Sequence, residues 1–215
     1  MMTKETTQIP LLPEYWRTAT RELARRDAIL KAFIRGRQGL PVRSRGDAFQ
    51  TLARAIVGQQ ISVKAAQSVW NRLAAHLAVV APAGMLEARS EALRGCGLSR
   101  QKVIYLQDLA RHFAAGTLEV SDWHRLDDEA LIAELTRVKG IGRWTAEMFL
   151  IFFLARPDVL PLDDLGLRRA MSLHYGRGRA LTSHRMRRIA AAWAPWRSVA
   201  TWYLWRSLDP VAAER

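Results

Sequence analysis

The sequence predicts an all-α protein built from short helices in two lobes. Three observations predict it. Apolar residues recur at three- and four-residue spacing along most of the 215 residues, the period of a helix with one buried face. Sustained two-residue alternation, the mark of half-buried strands, is absent. No hairpin turn lies between runs that read as strands. A hydrophobic content of 49% supplies enough apolar material for a core.

Residues 1–9 are expected to be a disordered N-terminus. Phe49, Leu52, Ala53, Ile56 and Val57 mark one helix, and Ala66, Val69, Trp70, Leu73 and Leu77 mark the next. Val103, Leu106, Ala110 and Phe113 mark another, with Ser99 placed to cap it. Leu131, Leu135 and Val138 give a short helix with Asp127 as its cap. Met148 to Leu154 is apolar all round, so this helix belongs at a buried centre. Met186, Ile189, Ala190 and Trp193 form a late helix, and Trp196, Val199, Ala200, Tyr203 and Leu204 the last, with Pro195 at its start. Residues 50–158 are expected to form a central lobe, and residues 10–49 with 159–215 a terminal lobe.

The charge narrows the function. Lys and Arg number 33 against 20 Asp and Glu, a net +13. A folded protein this basic usually meets a polyanion, with nucleic acid first and an anionic membrane second. An amphipathic membrane-surface helix would need a lysine-rich face, and Lys occurs only at 4, 31, 64, 102 and 139. The longest apolar run, Met148 to Ala155, is far shorter than the roughly 20 residues of a membrane span. The start of the chain has no basic-then-apolar signal pattern, so an intracellular, cytoplasmic protein with no membrane partner is expected. The single cysteine, Cys96 in Gly95-Cys96-Gly97, permits no intramolecular disulfide and no four-thiolate iron–sulfur cluster.

The most informative segment joins two helices through Lys139-Gly140-Ile141-Gly142. Glycines let the backbone turn sharply and approach a partner closely. The amides opening the second helix, up to Thr145, then lie at its positive end, where a phosphate binds without a side chain. Such contacts fix a protein on DNA and carry no sequence information. An ordinary αα-corner uses glycines in the same way. Lys139 in the turn and the overall charge favour DNA, with a binding affinity that falls steeply with salt.

Downstream, Asp163 and Asp164 follow Pro161-Leu162 and precede Arg168-Arg169. Asp before a helix is commonly an N-cap, and the helix dipole favours its charged form. A carboxylate so held can stabilise positive charge that develops on a substrate in the transition state. Asp titrates near about 3.9 in model peptides, so charge stabilisation ranks before general-base action. Eight Trp residues are present. Trp70 and Trp193 fall on apolar stripes, whereas Trp202 and Trp205 share a separate face of the last helix. Trp144 opens the second helix of the hairpin.

Leu135-x-x-Val138-Lys139-Gly140-Ile141-Gly142-x-x-Thr145-Ala146, followed by Leu162-Asp163-Asp164-Leu165-Gly166-Leu167-Arg168-Arg169, resembles the helix-hairpin-helix DNA glycosylase superfamily. Within it the chain is most similar to 3-methyladenine DNA glycosylase II, the AlkA type. Ile56 to Ala66, Gly142 to Ala146 and Ala194 to Ser198 add to the match, which runs from about Phe49 to Leu208. The chain is too short for the additional N-terminal α/β domain of the bacterial AlkA type and resembles the compact all-helical members.

The resemblance implies hydrolysis of the N-glycosidic bond of alkylated purines in double-stranded DNA, leaving an abasic site in base excision repair. It selects Asp164 as the catalytic carboxylate and leaves Asp163 as the cap. It lines the base pocket with Trp144, Trp205, Met148 and Trp202. Met148 and Arg206 stand where the AlkA type carries Tyr. Electron-rich indole faces attract the cationic alkylated base. The wedge that fills the gap after base flipping maps to Gln60, with Gln59 and Ser62 beside it as DNA contacts or as capping and buried polar groups. Trp144 occupies the position where bifunctional members carry a Schiff-base lysine, so the resemblance implies no strand cleavage. Backbone carbonyls of Thr136, Val138 and Ile141 would hold Na+ or K+, with no cofactor for catalysis. A monomer is expected. Two other readings stay open: a glycosylase for mismatched or oxidised bases on the same scaffold, and a non-catalytic DNA-binding protein. Because Asp164 lies just past the predicted crossing between lobes, the pocket is expected in the cleft between them.

Overall fold

The computed structural model describes residues 13–36 and 47–209, and the N-terminal segment 1–9 expected to be disordered lies outside them. Every element among the described residues is helical, as the periodicity implies. The chain divides into two compact units, one of residues 1–44 and 150–215, the other of 45–149. The sequence pattern alone places the crossings at 49/50 and 158/159 instead.

In the unit of residues 45–149, α3 (Ala48–Gly58), α4 (Val63–Leu77), α5 (Pro82–Glu87), α6 (Ser90–Gly95) and α7 (Arg100–Ala114) precede a 3₁₀ turn, Val120–Arg125. Then come α8 (Asp128–Leu135) and the start of α9 (Arg143–Phe152). Helix α7 is the hub, with α3, α5 and α6 packed on it. Leu52, Ile56, Leu73, Leu106 and Leu109 are fully buried, each stabilising the fold by about 1.5–3 kcal/mol. Phe49, Phe113, Trp123 and Phe149 form an edge-to-face chain with centroids 5.4, 6.4 and 5.4 Å apart, a favoured aromatic geometry. Asp47, Ser62, Ser99 and Asp127 cap α3, α4, α7 and α8 through side-chain oxygens, each contributing about 1 kcal/mol. Ser62 is therefore a cap. Cys96 is buried beside Gly97, whose φ of +96° makes the tight connection.

In the unit of residues 1–44 and 150–215, α1 (Trp16–Arg26) and α2 (Ala28–Gly36) pack on each other and on α12 (Arg197–Arg206). Helix α10 (Leu165–Tyr175) also lies on α12, and α11 (Ser183–Ala190) runs into a 3₁₀ turn, Ala191–Trp193. Asp27 ties this unit together. Its Oδ1 accepts the amides of Ile29 and Leu30, and its Oδ2 accepts Tyr175 Oη–H at 2.8 Å and Trp193 Nε1–H at 2.9 Å. Burial, with the Asp27 charge beside it, pushes the Tyr175 phenol far above its ordinary range.

Two boundaries differ from expectation. Val138 is buried in the turn beyond α8, which ends at Leu135. Helix α9 ends at Phe152, short of Leu154. Buried Val138 in the first case, and half-buried Phe153 and Leu154 in the second, extend the apolar pattern past the helix itself.

Candidate active site

Asp164 is the N-cap of α10, with extended backbone (φ −70°, ψ 121°) and 9% exposure. Its Oδ1 accepts the Leu167 amide at 2.7 Å and the Trp205 indole N–H at 2.7 Å. Two donors on one oxygen hold the carboxylate in one orientation. The cap expected at Asp163 is instead Asp164, because the Asp164 amide closes a turn onto the Pro161 carbonyl and leaves Asp163 exposed. Candidate catalyst and cap are thus one residue.

The rest of this unit builds the surroundings of that carboxylate. Trp205 stacks on Phe152, with centroids 5.6 Å apart and planes 14° from parallel. Trp202, one turn earlier, packs edge-on against Trp16 and Phe152. A Cβ at Gly166 would stand 3.0 Å from Trp205 Cδ1 and 3.1 Å from Asp164 Oδ1. Glycine is therefore what lets indole and carboxylate meet. Asp158 takes both Arg197 Nε and Nη2 at 2.7 Å and its amide at 3.2 Å. The neighbouring Ser198 Oγ accepts the Val159 amide, and the Ser198 amide donates to the Pro157 carbonyl. The segment leading to Asp164 is fastened to the first turn of α12, whose later turn carries Trp205. Nothing local in the sequence marks Phe152 or the bonds of this fastening. The available signals are that Gly166 and Arg197-Ser198 lie within matched motifs.

In the other unit lie Trp144 and Met148, one turn apart on the same side of α9. Trp144 is 47% exposed and Met148 half-buried. Arg206, which stands where the AlkA type carries Tyr, is in the unit of Asp164 and pairs with Asp209.

The hairpin turn, residues 136–142, is closed from inside. The Lys139 amide donates to Asp108 Oδ2 at 2.9 Å, and the Ile141 amide to the Val138 carbonyl at 3.1 Å. Ile141 and Thr145 are buried at 4% and 7% exposure. The amides of Lys139 and Ile141 are thus taken up within the protein itself. The Lys139 ammonium remains 65% exposed, 3.8 Å from Asp108. Among the described residues no acceptor meets the amides of Gly142 and Arg143, which open α9. The Arg143 guanidinium is engaged by Glu129 and Glu147. The Glu129 hydrogen bond raises it further, and in return holds the Glu129 carboxyl below its ordinary range.

The two glycines differ. Gly140 has φ +84°, and a Cβ there would fall inside the Tyr105 ring. At Gly142 a Cβ meets nothing within 4 Å, so no neighbour in the fold requires glycine there. Asp108 and Tyr105, on α7, are hairpin supports that no sequence motif announces.

Gln59 is a brace: its Nε2–H donates to the Gly140 carbonyl at 2.8 Å. Lys102 Nζ donates to the Val57 and Gln59 carbonyls, both at 2.8 Å, and burial lowers its pKa. Gln60 is exposed and left-handed at φ +58°, which costs a residue with a Cβ about 1–2 kcal/mol. Exposed Ile61 and Val63 flank it. The carbonyls of Thr136, Val138 and Ile141 sit around this same turn. They offer the all-oxygen donor set that suits a hard cation, one of them already accepting the Ile141 amide. No helix among the described residues is long and apolar enough to cross a membrane.

Known proteins resemble this chain in sequence and fold. The model of the HhH-GPD superfamily of base excision DNA repair proteins matches residues 53–195, and the chain belongs to that superfamily. DNA-3-methyladenine glycosylase 1 of Schizosaccharomyces pombe is 35% identical over 163 residues, 74% of this chain and 72% of that protein. The crystal structure of a DNA-3-methyladenine glycosidase from Bacillus halodurans superposes with TM-score 0.84 at 33% identity, covering 91% of both chains. The S. pombe 3-methyladenine DNA glycosylase Mag1, solved in complex with abasic DNA, gives TM-score 0.77 at 31% identity over 88% of this chain and 96% of that one.

Proposed function

We propose that the chain is a monofunctional DNA glycosylase that hydrolyses the N-glycosidic bond of alkylated purines such as 3-methyladenine, leaving an abasic site for base excision repair. One observation carries the mechanism: a nearly buried carboxylate, Asp164, held by a helix amide and an indole N–H on the same oxygen. Alkylation at a ring nitrogen makes the base cationic and a good leaving group. The C1′–N bond breaks, the base departs neutral with the electron pair, and positive charge develops on the sugar. Asp164 stabilises that charge electrostatically. Water then adds to C1′ and releases one proton.

Aromatic side chains support the choice of substrate. Trp205, beside Asp164, and Trp144, with Met148, offer π faces and apolar surface to a cationic purine. The open end of α9 at Gly142, with the Lys139 ammonium, supplies phosphate contacts, and Gln60 fills the vacated stack. The carbonyls of Thr136, Val138 and Ile141 would hold a monovalent cation, which when bound adds positive charge beside the phosphate. We read the active species as a monomer on double-stranded DNA.

The test is direct. Incubation with methylated duplex DNA should release 3-methyladenine, identified by mass spectrometry, and leave alkali-labile abasic sites. Release of no base and formation of no abasic site overturns the reading. Borohydride should trap no protein–DNA adduct, and a covalent adduct would mean a lyase.

A further inference from the structure

Between Asp164 and Asp209 the chain carries no acidic residue and nine arginines. Arg197 and Arg206 are occupied by Asp158 and Asp209. Five others, Arg177, Arg179, Arg185, Arg187 and Arg188, fall within twelve consecutive positions, and all are exposed. Among the described residues none of the five has a carboxylate partner. Charged side chains on a solvated face are usually interleaved by sign; here one sign stands alone.

The local structure fixes the backbone that carries these arginines. Helix α10 ends in a tight turn at Gly176, where a Cβ would collide with the carbonyls of Arg179 and Ser172. Arg177 then adopts left-handed φ of +52°, a conformation in which Gly or Asn would be cheaper. The turn is closed by Arg179 N–H to the Gly176 carbonyl at 3.0 Å and Gly178 N–H to the Ser172 carbonyl at 2.9 Å. Helix α11 follows, capped by Thr182, and buries Met186 and Ala190. That fixes its outward face as His184, Arg185, Arg187 and Arg188. From His184 to Arg188 this face is about 6 Å long at 1.5 Å per residue, and duplex DNA offers one phosphate charge per about 1.7 Å of axis.

The cluster also lies away from Asp164. Asp164 caps the first turn of α10 and the basic turn follows its last, so a helix of eleven residues separates them by about 16 Å. We propose that the α10–α11 turn and the outer face of α11 form a second phosphate-backbone surface, which binds undamaged duplex DNA without sequence preference. Arginine suits this partner because its planar fork matches phosphate oxygens two at a time. Such a surface raises the residence of the protein on undamaged DNA and leaves the bond-breaking step alone. The proposal rests on the glycosylase reading for its biological sense, but its binding measurement stands apart from base release.

The test uses the triple variant R179Q/R185Q/R188Q of the full chain. Binding to undamaged duplex DNA is measured across a series of salt concentrations. The slope of log K against log salt should fall by about three, roughly one for each phosphate that the variant no longer neutralises. Single-turnover release from a short methylated duplex at saturating enzyme should match the wild type. An unchanged slope overturns the proposal. So does an equal loss of single-turnover release, which would place the arginines in the lesion site. Unaltered duplex binding with abolished binding to vesicles of equal phosphatidylglycerol and phosphatidylcholine overturns it in favour of a membrane surface. If the wild type itself releases no base while the slope still falls, the glycosylase reading fails and this surface stands.

Discussion

Trp205 Nε1 donates to Asp164 Oδ1 at 2.7 Å, and the Leu167 amide meets the same oxygen at 2.7 Å. The side chain that would stabilise a sugar cation is also the one that starts a helix. The two roles separate by substitution. Asn caps helices about as well as Asp, so Asp164→Asn should keep its thermal midpoint within a few degrees. Its single-turnover base release should fall by about 10²–10³-fold. Asp163→Asn should remain close to wild type in both. The reverse pattern would move catalysis to Asp163.

Gly166 tests the same bond without touching either partner. Gly166→Ala inserts a Cβ 3.0 Å from the Trp205 ring and 3.1 Å from Asp164 Oδ1. Something must give by a few tenths of an ångström, and the indole–carboxylate bond is in the way. Single-turnover release should drop by on the order of ten-fold, while global stability changes by less than about 1 kcal/mol. Wild-type release from this variant would mean that the bond does not set the position of Asp164.

Arg197 acts at one remove. Its fork closes on Asp158 with two bonds of 2.7 Å, fixing the segment that ends in Asp164. Both partners are partly exposed, so the pair stabilises the fold by at most about 1 kcal/mol. Arg197→Ala should reduce kcat by on the order of ten-fold with little change in KM. Arg197→Lys, which cannot close the fork, should recover only part of it. A loss confined to KM would instead make Arg197 a DNA contact.

The hairpin glycines should part company. Gly140→Ala places a Cβ in the Tyr105 ring at a left-handed φ and should destabilise by more than about 1 kcal/mol in denaturant unfolding. Gly142→Ala meets nothing inside the protein, so stability should change by less than about 0.5 kcal/mol. Its duplex affinity should nevertheless fall, because the added methyl stands where a phosphate would approach. Unchanged affinity would remove the open end of α9 from the DNA surface.

His174 sets a pH dependence. Its Nε2 lies 2.9 Å from Ser207 Oγ and its ring packs edge-on to Phe33 at 4.7 Å. Burial lowers its pKa. Above about pH 6.5 the imidazole is neutral in both folded and unfolded chains. As pH falls below that, the unfolded chain takes the proton first, so stability declines until the folded pKa is reached. The urea midpoint should drop more between about pH 7.5 and 5.5 for the wild type than for His174→Gln. Equal drops would show that His174 is not the titrating group.

Much of this is legible in the sequence. Period and caps identify helices, so Ser99 and Asp127 can be named as caps and Trp70 and Trp193 as core. Asp164 can be selected because a motif surrounds it. The supports are not legible, because each depends on residues far apart in the chain. Asp108 meets the Lys139 amide, Gln59 the Gly140 carbonyl and Asp158 the Arg197 fork across separations of 31, 81 and 39 positions. Nothing local in a sequence marks such partners. Asp163 is the expected cap only because either of two adjacent carboxylates can begin a helix. The turn onto Pro161 decides between them.

The Gln59–Gly140 bond has a wider consequence. It joins the segment bearing Gln60 to the hairpin turn within one unit, and Lys102 fastens the same segment to α7. In the reading proposed above, hairpin and Gln60 are two jaws of one gauge, and their spacing is set by the protein's own bonds.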